Sequence, residues 1–124
     1  MNTELSYLYR DASNYKQHGQ VVLAGEMAES DARSALWEEV YFIPSAVGLP
    51  NLQHLFREQG FPFPTEDDHP WHEMASIRPT KSNPTVALSA AELLRRLREC
   101  RTAGWESYLL AAEAELRGGR KSVP

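Results

Sequence analysis

The sequence predicts an α+β fold: a three- to four-stranded antiparallel or mixed sheet covered on one side by two to three helices, with a helical C-terminal segment. Three observations lead there. Leu5, Tyr7 and Tyr9 alternate with Ser6, Leu8 and Arg10, the period of two that puts aromatic side chains on one face of a strand. Val40-Tyr41-Phe42-Ile43 is a β-branched and aromatic run stopped by Pro44, too short for a buried helix. Ser89 and Glu92, followed by Leu93, Leu94, Leu97 and Cys100, have the spacing of a capping box ahead of an amphipathic helix.

Taken in order, strand 1 ends at the turn formers Asp11 to Asn14, and Tyr15 to Leu23 reads as strand 2 of a hairpin, with Gly19 marking a bulge or an extension in it. A helix opens at Glu29 or Ser30, with acidic residues complementing its dipole, and runs to Trp37 or Glu38. The run from Val40 to Ile43 is read as the central strand. Gly48, Pro50 and Asn51 punctuate the chain, and Leu52, Leu55 and Phe56 recur at helical spacing before Gly60. Phe61-Pro62-Phe63-Pro64 cannot continue that helix and forms a loop. Glu73 to Ile77 is a further strand ending at Arg78-Pro79-Thr80, followed by a polar loop. Gly104 interrupts the last helical pattern, which Trp105, Tyr108, Leu109, Ala112 and Leu116 resume, so the end is one kinked helix or two. Residues 1–117 are thus read as one domain and 118–124 as a frayed basic tail.

Composition narrows the class. With 124 residues, 42% hydrophobic and 24% charged, the chain can bury one core without disulfides or a structural metal. A single cysteine, Cys100, and no secretory leader point to a reducing cytoplasm, and no apolar run approaches the ~18 residues of a membrane span. A formal charge of −4 disfavours general nucleic-acid binding and leaves another protein as the expected partner. Charge is unevenly placed: Arg95, Arg96, Arg98 and Arg101 gather in one segment, and Glu66, Asp67 and Asp68 in another.

The densest chemistry is Asp67-Asp68-His69-Pro70-Trp71-His72-Glu73. Imidazoles and carboxylates suit a divalent metal such as zinc, which gives one reading with His69, His72, Asp68 and Glu73 as ligands. A hydrolytic version adds a distant group such as Asp11. The helical zinc-protease pattern is not met, however, because the histidines stand three apart around Pro70 and the glutamate follows the second. Capping and loop anchoring, with no cofactor, is the preferred reading of these side chains. Trp71 is either a core anchor whose indole donates to a carbonyl or a binding hot spot. Tyr7, Tyr9 and Tyr15, with Arg10 and Lys16 nearby, raise the thought of a base-stacking sheet, but core packing is preferred for lack of the defining aromatic and glycine motif.

Tyr9-Arg10-Asp11 with Asn14-Tyr15-Lys16, Phe42-Ile43-Pro44 with Val47-Gly48-Leu49-Pro50, and Asp67 to Glu73 together resemble a group of small uncharacterised bacterial proteins. The similarity runs through Thr80 and implies a bacterial cytoplasmic setting, without a catalytic assignment. The expected function is therefore a non-enzymatic regulatory, immunity or accessory protein that binds another macromolecule, with Trp71, His69, His72, Arg10 and Tyr15 as its candidate binding residues. The alternatives are a small metal-dependent hydrolase at the central cluster and nucleic-acid binding through the helix of Arg95 to Arg101.

Overall fold

The alternation in the first ten residues produces the strand on which the molecule is built. In the computed structural model, which describes residues 1–118, β1 (Asn2–Arg10) buries Thr3, Leu5, Tyr7 and Tyr9 on one face. It pairs antiparallel with β2 (Lys16–Leu23) on one side and β4 (His72–Thr80) on the other. A two-residue β3 (Tyr41–Phe42) pairs with the start of β4, giving a four-stranded antiparallel sheet of order β2-β1-β4-β3. The run from Val40 to Ile43 is therefore an edge strand; the central positions belong to β1 and β4. Trp37 and Tyr41 close a tight hairpin just before it, with Glu38 and Glu39 at φ 53° and 63°, so little chain is left to extend the pairing.

The remaining elements are helical: α1 (Glu29–Ala35), α2 (Pro44–Val47), α3 (Leu55–Glu58), α4 (Ala90–Ala103) and α5 (Glu106–Leu116). The first helix is shorter than expected, α2 fills the stretch between Pro44 and Gly48 to which the sequence assigned no element, and Gly104 at φ 92° separates two C-terminal helices. Ser89 Oγ accepts from Glu92 N at 3.1 Å as a cap should. The Glu92 carboxylate turns instead to Arg95 and Arg96, which hold it down to about 2. Leu93, Leu97 and Cys100 face the core, and burial pushes the Cys100 thiol up. The tail expected over 118–124 lies, beyond Gly118, outside the described residues. No helix among the described residues is long and apolar enough to cross a membrane.

Two local features set the shape of the sheet. Gly19 sits opposite Tyr7 in regular register, and a Cβ there would lie 2.6 Å from Leu52 Cδ2; its role is to admit the Leu52 side chain, not to form a bulge. The irregularity falls instead between β1 and β4, where Tyr7 pairs with Met74 and Ser6 with Ser76, leaving Ala75 over. Arg33 of α1 serves this edge. Its guanidinium donates to the carbonyls of Glu39, Met74 and Ala75 at 3.0, 3.0 and 3.1 Å, so the bulged backbone keeps a partner.

Candidate functional site

The two buried tyrosines of β1 carry their hydroxyls to the end of the core, where they meet loops. Tyr7 Oη donates to the Pro50 carbonyl at 2.7 Å, and burial pushes its pKa up to about 12. Tyr9 Oη donates to Asp68 Oδ1 at 2.5 Å and accepts from His69 N at 3.2 Å; burial and then the Asp68 bond raise its pKa further. This brings the Asp67 to Glu73 segment against the core, with its first half in a turn and its second leading into β4.

Each polar side chain of that segment then has identifiable partners. Asp68, 6% exposed, takes Tyr9 Oη on one oxygen and Thr65 N on the other at 2.8 Å. His69 Nδ1 accepts from Trp71 N at 3.1 Å, so the ring proton sits on Nε2, which is 2.8 Å from the Arg10 carbonyl. His72 has the opposite tautomer. Its Nε2 accepts from Leu52 N at 3.1 Å, which places the proton on Nδ1, facing the Pro70 carbonyl at 3.1 Å. With no exposed surface and rings of Tyr7, Tyr9 and Phe42 around it, His72 has its pKa pushed down to about 3, chiefly by burial. Gln53, a buried residue the sequence did not single out, donates to the His69 carbonyl.

Glu73 and Arg10 lie on the other face of the sheet and pair there, Nε to Oε2 at 2.8 Å. Trp71 packs between Trp37 and Trp105, tilted to the first and edge-on to the second, at centroid distances of 4.6 and 6.2 Å. The indole that donates to a carbonyl is that of Trp105, to Ala35 at 2.9 Å. Among the described residues no group of three His, Cys, Asp or Glu side chains is arranged to hold a metal. His69 and His72 do not converge on a helical turn: one belongs to the loop and the other opens β4.

The remaining candidates separate. Tyr7 and Tyr9 are interior, while Tyr15 precedes β2 and is 65% exposed, so the three do not share a stacking surface. Arg95 pairs with Glu92 and Glu99, Arg96 with Glu92, and Arg98 with Asp31 at 3.8 Å, while Arg101 donates to the Ser34 carbonyl. Their charge is thus largely matched within the fold. Asp11 is carried to Asp67, not to the imidazoles: Ala12 N donates to the Asp67 carbonyl at 3.1 Å and Ser13 Oγ to Asp67 Oδ2 at 2.5 Å. Sequence reasoning missed Phe61, 57% exposed, and Arg117, which donates to the Thr65 and Asp68 carbonyls. The proline-broken loop signalled Phe61 as aromatic but unable to join a helix; nothing local signalled Arg117.

Comparison of the chain with protein-family models, curated proteins and solved structures finds no match.

Proposed function

We propose that this chain is a non-enzymatic bacterial cytoplasmic protein, of a regulatory, immunity or accessory kind, that works by binding another protein. One observation carries the reading: all four ring nitrogens of His69 and His72 are engaged by backbone groups. An imidazole so held offers no lone pair to a metal and no proton to a substrate unless the bonds that anchor its loop are broken. A hydrolase built on His69, His72, Asp68 and Glu73 would have to dismantle the segment that positions it. The pairing of the α4 arginines and the charge of −4 weigh against a phosphate-tracking surface. The lone buried Cys100 suits a reducing compartment.

The test is isolation of the tagged chain from native extract, identification of what travels with it, and reconstitution of the pair from purified components. A defined complex is the expected result. A chain that elutes alone while turning over a substrate would overturn the proposal.

A further inference from the structure

On the far side of the Tyr9–Asp68 hydrogen bond, the β1–β2 turn and the proline-rich loop enclose a cavity of about 320 Å³, with Asp11, Tyr15, Phe56, Phe61, Asp67 and Asp68 among its walls. Phe56 is its buried floor, and the exposed rings of Tyr15 and Phe61 stand at its mouth. Two aromatic rings left in water around one cavity constitute an unfilled apolar contact. Their faces carry the negative side of the ring quadrupole, which attracts cations.

The carboxylates of the same walls lack a counter-charge. Asp11 Oδ1 accepts from Ser13 N and Tyr15 N, both at 2.9 Å, and Asp67 Oδ2 accepts from Ser13 Oγ, which locks the turn. No donor among the described residues reaches the second oxygen of either. Asp68 is buried, yet its donors, Tyr9 Oη and the Thr65 amide, are neutral. Among the described residues no cation stands at ion-pair distance from Asp11, Asp67 or Asp68. The guanidiniums of this region are engaged elsewhere, Arg57 by the Phe63 carbonyl and ring, and Arg117 by the carbonyls of Thr65 and Asp68 and the Glu113 carboxylate. With Asp11 and Asp67 half-buried and Asp68 buried, the cavity walls carry negative charge of one sign, which attracts an entering cation.

We propose that this cavity receives the lysine or arginine side chain of a protein partner, its aliphatic stem on Phe56 and Phe61 and its charged head between the Tyr15 ring and the free oxygens of Asp11 and Asp67. The inference rests on the macromolecule-binding reading and names the chemistry of the partner's contact. A protein is favoured over a free amine because Tyr15 and Phe61 are exposed apolar surface at the cavity, which residues flanking the bound side chain would cover.

The probe is a blocked pentapeptide, Gly-Gly-Arg-Gly-Gly, and its lysine counterpart, titrated into the full chain while backbone amide NMR signals are followed. The norleucine peptide and free spermidine serve as comparisons. Saturable shifts confined to residues 11–15 and 61–68 are expected, weakened about tenfold by Tyr15→Ala or Asp67→Asn and by raised salt. No localised shift at ~10 mM peptide, equal binding of the norleucine peptide, or indifference to both substitutions overturns the inference. Tighter binding of spermidine overturns the protein source, and concentration-dependent shifts without probe assign the surface to a second copy of this chain. A reconstituted complex unaffected by Tyr15→Ala and Asp67→Asn would sink this inference while leaving the binding function standing.

Discussion

The Asp67 to Glu73 segment and the cavity beside it use the same side-chain types and treat them oppositely. In the segment, the ring nitrogens of His69 and His72 and the oxygens of Asp68 are taken by backbone groups and Tyr9 Oη, and the Trp71 ring lies against those of Trp37 and Trp105. At the cavity, Asp11 and Asp67 each have one carboxylate oxygen without a donor among the described residues, and Tyr15 and Phe61 are exposed. Asp67 and Asp68 belong to both: Asp68 closes the core with Tyr9, and both carboxylates form walls of the cavity. Residue type alone therefore does not mark a site. What decides is whether unpaired backbone groups of a neighbouring loop reach the side chain first.

The contrast can be broken most strongly at His72. His72→Ala removes a fully buried ring and leaves the Leu52 amide and Pro70 carbonyl without partners, so stability should fall by about 3–5 kcal/mol in denaturant titration. A loss below ~1 kcal/mol would mean that the imidazole is not a structural member.

Acid gives a second, smaller perturbation of the same group. Because the folded pKa of His72, about 3, lies below the ordinary 6.5, the unfolded chain takes up a proton that the folded chain refuses. Its contribution is therefore unchanged above pH 6.5 and declines as pH falls toward 3, by up to about 1.4 kcal/mol per pH unit. Unfolding measured at about pH 7 and pH 5 should show about 2 kcal/mol of loss from this source, and the part due to His72 should vanish in His72→Phe.

Tyr9→Phe sharpens the boundary between the two regions. It deletes the hydroxyl that donates to Asp68 and receives His69 N, for an expected loss of about 1–3 kcal/mol together with amide shifts on both sides of the bond. Tyr15→Ala lies at the other extreme. An exposed ring outside the core should change stability by less than about 0.5 kcal/mol while weakening partner binding, and a large unfolding shift would show that the rim is scaffold after all.

Much of this organisation was legible in the residues. The alternation of Leu5, Tyr7 and Tyr9 marked β1 and its buried face, and Ser89 with Leu93 and Leu97 marked α4 and its cap. The preference for anchoring at His69 and His72 agrees with their backbone bonds. Strand order was not legible, because Val40 to Ile43 is apolar enough for an interior strand and only the Glu38–Glu39 turn and Pro44 confine it to an edge. Nor did local pattern report the Leu52 contact that requires Gly19, or the reach of Arg33 across to Ala75. The cavity was equally hidden: Asp11 and Asp67 are 54 or more positions from the partners that bring them together, as the Ser13–Asp67 bond shows, and exposure of Tyr15 and Phe61 is set by tertiary placement.

The imidazole nitrogens themselves provide the most direct measurement. Long-range proton–nitrogen NMR of the two side chains, followed from neutral pH to about pH 5 and repeated with added zinc, reports tautomer, protonation and ligation at each ring. Anchoring by backbone groups predicts His72 as the neutral Nδ1–H form across that range, His69 as the Nε2–H form at neutral pH, and neither moved by the metal. A His72 that titrates near 6.5, or either ring shifted by zinc, would contradict it.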